Sequence, residues 1–140
     1  MTLNLLLTAL AIAILLGIVS VIGRVLSRRM PRKFDTERFH KRWQEIQGQC
    51  KSKETWPLAV IDADKLLDEA LKKSHYKGRS MGERLVSAQR DLSDNDGVWY
   101  GHKLRNKLVH EEMKNLKQRD VQDALKGFRQ ALRDLGAMTK

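Results

Sequence analysis

One cysteine in 140 residues excludes an intramolecular disulfide framework, and Cys50 by itself fits a reducing compartment. It falls on an apolar helical stripe, where a small buried hydrophobe is expected rather than a nucleophile. No stretch alternates as a half-buried strand would, and Val60-Ile61 is the only adjacent β-branched pair after the first 23 residues. Internal repeats are absent. So are a glycine-rich phosphate loop, a Ser/His/Asp arrangement and a carboxylate pair placed for acid–base work. His40 and His75 have no partner at ligand spacing, and a metal site needs three or four convergent donors, so neither a metal nor another cofactor is expected.

Charge is missing from the first 23 residues altogether. Leu3 to Gly23 supplies about the 20 residues needed to cross a hydrocarbon core, with Asn4, Thr8 and Ser20 as its only polar side chains. A cleaved secretory signal would carry a basic n-region, a shorter apolar run and a small-x-small site before a polar segment. None of these is present, so residues 1–23 read as an uncleaved transmembrane anchor. The segment 24–34 follows, with Arg24, Arg28, Arg29, Arg32 and Lys33 and no acid among them. By the positive-inside rule these bases place the remainder of a single-pass cell-membrane protein in the cytoplasm. They account for half of the net charge of +10; residues 34–140 hold the other 22 of 27 bases against all 17 acids, which leaves five. The basic segment is therefore best matched to anionic lipid headgroups, and the high overall charge overstates the case for nucleic acid.

Residues 35–140 predict an all-α domain, a small antiparallel bundle behind the anchor. Phe39, Trp43, Ile46 and Cys50 recur at helical spacing from about Asp35, with Gly48 weakening the last turns. Thr55 reads as an N-cap with Pro57 in the first turn of a helix reaching Lys73. Ser80-Met81-Gly82-Glu83 has the form of a capping box, opening a helix with Met81, Leu85, Ala88 and Leu92 inward. Ser93 to Gly97 reads as a turn before a helix from about Val98 to residue 112. A last stripe of Val121, Ala124, Leu125, Phe128, Leu132 and Leu135 runs from an Asp120 cap to Gly136. At such spacing Trp43, Trp56 and Trp99 are core or interface residues rather than base-stacking platforms.

The stretch richest in chemistry is Leu104-Arg105-Asn106-Lys107-Leu108-Val109-His110. An arginine, a polar partner and a histidine five residues on can together handle a phosphodiester. At about 100° per residue, Arg105 and His110 lie roughly 140° apart, with Asn106 between them and one turn from His110. Val98, Gly101, Leu104, Leu108 and Val109 project as one apolar arc that encloses Arg105. A guanidinium held there by packing would be a rigid cationic fork suited to phosphate oxygens. His102, one turn before Asn106, is an auxiliary candidate.

An all-α bundle with Arg-polar-x-x-x-His on a late helix resembles the HEPN superfamily, over roughly Thr55 to Gly136. Gly78 to Leu85 and Trp99 to Asn106 also look like an uncharacterised family of single-span bacterial membrane proteins. The resemblance implies metal-independent endoribonuclease chemistry in stress or defence. His110 would take the proton of the RNA 2′-hydroxyl, Arg105 would stabilise the phosphoryl charge, and Asn106 would orient either. It further implies a homodimer sharing the site, with which the small-residue series Ala9, Ala13, Gly17 in the span is compatible. Many proteins of that superfamily are binding or scaffold modules. On that alternative, Arg105 pairs with an acid of another helix (Asp62, Asp64 or Asp68), Asn106 and His110 hold helices together, and the partner is another protein or a second copy of the chain.

Overall fold

The computed structural model describes residues 2–29, 34–110 and 115–139, which form helices joined by short turns and connections. Two compact units separate, Met1–Arg32 and Lys33–Lys140. The first is a single helix, α1 (Thr2–Arg29). Within it Asn4–Val25, 22 residues with a mean hydropathy of 2.9 and none of its apolar window buried, is long and apolar enough to cross a membrane. α1 runs on to Arg29, so the bases Arg24, Arg28 and Arg29 of the juxtamembrane segment stand on the same helix. Arg32 and Lys33 lie outside the described residues.

The second unit holds α2 (Thr36–Gln49), a 3₁₀ turn (Lys53–Thr55), α3 (Trp56–Lys73), α4 (Met81–Ala88), α5 (Asn95–His110) and α6 (Gln118–Asp134). It is all-helical, the bundle expected from the periodicity. α3 is the central element, in contact with α2, α4, α5 and α6. It can serve four neighbours because Ala59, Val60, Ala63, Leu66, Leu67, Ala70 and Leu71 are all buried, an apolar arc broader than one stripe, with alanines that let other helices come close.

Local chemistry sets the ends. Asp35 accepts a hydrogen bond from Arg38 N at 3.1 Å, and Phe34 meets Phe39 edge-on at 5.4 Å, a hydrophobic staple across the start of α2. Thr55 stands at the N-cap position of α3 but does not cap it; its hydroxyl lies against the carbonyls of Gln49 and Ser52, closing the preceding turn instead. In α4, Ser80 Oγ accepts from Glu83 N, while Glu83 reaches back to Arg79 N at 2.7 Å, one residue beyond the usual box. Leu92 is buried yet lies past the end of α4, in the connection.

Two boundaries differ from the sequence expectation. α5 begins at Asn95 rather than Val98, because the Asp94 carboxylate accepts from Gly97 N at 2.9 Å and so caps a turn that includes the glycine. The expected extension of this helix to residue 112 falls partly outside the described residues. Asp120 is not the cap of α6 but lies inside its first turn, accepting from Lys117 N at 3.0 Å. At the other end Gly136 adopts φ +78°, and Ala137 N donates back to Leu132 O, the left-handed stop that glycine permits.

α5 and α6 share the most extensive helix–helix contact. Glycine makes it close: a Cβ on Gly127 would run into the backbone of Gly97 and Val98, and one on Gly101 would lie 2.6 Å from Phe128 Cζ. Backbone has no rotamer to change. Gly127→Ala is therefore expected to force the two helices apart and cost about 1–3 kcal/mol or more, read from urea unfolding followed by tryptophan fluorescence. An unshifted midpoint would mean that the two helices are not in backbone contact.

Candidate functional site

α5 presents two adjoining faces to the domain. Val98, Gly101 and Leu104 go into the core. One position further round, His102 and Arg105 turn toward α3, where Asp64 sits on the inward arc between Val60 and Leu67 and is only 4% exposed. An acid so enclosed needs partners. It has two: His102 Nδ1 at 2.8 Å from Oδ1, and Arg105 Nε at 3.5 Å from Oδ2.

A carboxylate only accepts, so His102 donates through Nδ1, and whenever the imidazole is neutral Nε2 is its acceptor. Asn106 Nδ2 lies 3.4 Å from that Nε2. Asn106 Oδ1 in turn accepts from Arg105 Nη1 at 3.0 Å. The four side chains therefore close a ring, Asp64 to His102 to Asn106 to Arg105 and back to Asp64. The last link is Coulombic, since Arg105 Nε is enclosed and lacks hydrogen-bond geometry to any acceptor among the described residues. Trp99 stands edge-on to the His102 ring at 5.9 Å. The ring borders a cleft of about 440 Å³ that Lys65, Ser80 and Gly82 also line.

Of the residues singled out in the sequence, the structure brings together Arg105, Asn106 and His102. His110 does not join them. It is the last residue of α5 and exposed, eight positions from His102 and so about 12 Å further along the axis. Asn106 has a histidine one turn away on either side and bonds the earlier one, because Asp64 holds that imidazole in place. Val109, included in the apolar arc, is exposed as well. Among the basic residues after the span, Arg24, Arg28 and Arg29 are helical.

A second ionic layer lies one turn along α3. Arg84 directs Nε and Nη2 to Asp68 Oδ1, both at 2.7 Å, and Nη1 to Gly78 O at 2.6 Å, while Lys72 takes the other Asp68 oxygen at 2.8 Å. The three acids considered as partners thus divide the work: Asp62 accepts from Gln49, Asp64 holds the α5 ring, and Asp68 binds Arg84 of α4. Arg84 was legible by the same signal as Arg105, an arginine between Met81, Leu85 and Ala88 on an apolar face, and sequence reasoning passed over it.

Cys50 is half-buried with Sγ 3.6 Å from Ile46 O, and desolvation pushes its thiol above the ordinary range, away from nucleophilic use. Trp43 is buried in the core, and Trp56 Nε1 donates to Cys50 O. Among the described residues, no three His, Cys, Asp or Glu side chains converge as metal donors would.

Family models, curated proteins and solved structures offer no match to this chain. What the site can do rests on its geometry. A buried carboxylate paired with an arginine, hydrogen-bonded by a histidine and closed through an asparagine is suited first to locking α5 onto α3. Beside the cleft it also holds an oriented imidazole, whose Nε2 faces the Asn106 amide at 3.4 Å.

Proposed function

We propose that the chain is a membrane-anchored, HEPN-like interaction module: the apolar part of α1 spans the cell membrane, the bases from Arg24 to Lys33 contact anionic headgroups, and the helical domain works on the cytoplasmic face without catalysis. The observation that carries this reading is the ring itself. Arg105 spends its charge on buried Asp64 and its fork on Asn106, and His110 lies exposed beyond the ring, so among the described residues Arg105 and His110 do not converge on a groove for a phosphodiester.

Ribonuclease activity is the second reading, favoured by a specific feature. Asp64 sets the tautomer of His102 so that Nε2, a base, lies beside the cleft with Arg105 and Asn106. In that case His102, rather than His110, would accept the 2′-hydroxyl proton unless a second copy brought its own motif into a shared site.

Incubating the full chain in neutral-detergent micelles with mixed RNA and a chelator separates the two. The module reading expects RNA to stay intact with the wild type, with His102→Ala and with His110→Ala alike. Cleavage abolished by His102→Ala, with the domain still folded, would replace it by the second reading. Cleavage abolished by His110→Ala alone would point to the motif as implied by the HEPN resemblance.

A further inference from the structure

α2 and α6 both rest on α3 and leave between them an open groove of about 450 Å³. Its floor is Trp43, Cys50 and Leu125; its α6 wall carries Lys126, Arg129 and Arg133. These three cations follow one another at helical spacing, a row about 10 Å long. No carboxylate lines the groove, and among the described residues none forms an ion pair with any of the three. The acids of α6 are engaged elsewhere: Asp120 with Lys117 and Tyr100, Asp123 with Arg119, Asp134 with Ser93 and Gln130. Two enclosed donors of the lining, Trp43 Nε1 and Arg133 Nε, have no acceptor among the described residues, a cost a folded chain normally avoids.

We propose that this groove is the module's docking surface and that it takes an acidic segment of a partner protein, with an apolar side chain over the Trp43–Leu125 floor and carboxylates along the Lys126–Arg129–Arg133 row. Charge complementarity selects the partner's sign. The apolar floor calls for a side chain, and the lining also carries Gln47 of α2 and Gln122 of α6, whose amides can pair with a peptide backbone. Single-stranded RNA fits less well. Trp43, 4% exposed, shows too little of its ring to stack a base, and no other aromatic lines the groove. The inference supplies the partner class for the interaction-module reading but does not share its fate: a chain that cleaved RNA and still bound acidic peptide here would lose that reading and keep this groove.

The test uses the full chain in neutral-detergent micelles and a fluorescein-labelled helical peptide carrying a leucine flanked by glutamates one turn apart. Anisotropy should show saturable binding, weakened about tenfold or more by Lys126→Glu/Arg129→Glu, by replacing the peptide glutamates with glutamine, and by raising the salt. Both substituted positions are exposed, so the variant should unfold at the wild-type midpoint. Cys50, the only thiol, lies in the groove, so saturating peptide should slow its alkylation by about fivefold or more. Absence of saturable binding, binding indifferent to the charge reversal, or unprotected Cys50 would each overturn the proposal. So would tighter binding of oligouridylate, or of phosphatidylglycerol vesicles, that the charge reversal abolishes, since the groove would then belong to nucleic acid or lipid.

Discussion

Asp64→Ala should lower the unfolding free energy of the helical domain by about 3–5 kcal/mol, because it leaves the His102 Nδ1–H and the Arg105 guanidinium without their buried counter-charge. Against a typical total of about 5–15 kcal/mol this is enough to unfold a marginal domain. Asp64→Asn keeps an acceptor for His102 and removes only the charge, so its cost should be smaller, about 1–3 kcal/mol. A triple replacement by apolar residues, Asp64→Leu with His102→Phe and Arg105→Met, removes donors and acceptor together and should regain much of the loss. All three tryptophans belong to the Lys33–Lys140 unit, so urea unfolding followed by their fluorescence in micelles reports this domain and not α1. An Asp64→Ala loss below about 1 kcal/mol would mean that the ring does not hold α5 to α3.

Phe128→Ala is expected to cost about as much, 3–5 kcal/mol, through a different term. The ring is fully buried and lies against Gly101, so truncation removes apolar contact and opens a void where α5 and α6 meet. Gly101→Ala alone should also destabilise, since its new methyl would need the space the ring occupies. Combined, the two should not add: the alanine methyl at 101 partly fills the space left by the ring, and the double variant should be more stable than the sum of the single losses predicts. Additive losses in chemical denaturation would show that the two positions are not in contact.

Both predictions turn on α5, whose sequence was the hardest to place. The long stripes of α2, α3 and α6 were legible from spacing, because each buries one continuous apolar face and periodicity carries that information directly: Phe39, Trp43 and Ile46, then Leu66 and Leu67, then Val121, Leu125 and Phe128 are all buried. The apolar run before Arg24 was equally plain, since a helix long enough to span needs only length and an absence of charge. Helix ends were less legible. Asp94 and Asp120 are both good capping residues, and only the backbone path shows which amide each one reaches.

Arg105 was marked as unusual by its place within an apolar arc, and an acid of another helix was among its expected partners. Spacing along one helix could not choose among Asp62, Asp64 and Asp68, because which of them meets α5 depends on how α3 is rotated about its axis and how far α5 slides along it. Packing makes that choice. With Val60, Ala63 and Leu67 buried, Asp64 is carried inward with them, while Asp62 and Asp68 go to Gln49 and Arg84. The same rotation favours His102 over His110: two histidines flank Asn106 at nearly equal helical distance, and only a carboxylate brought in from a different part of the chain distinguishes them.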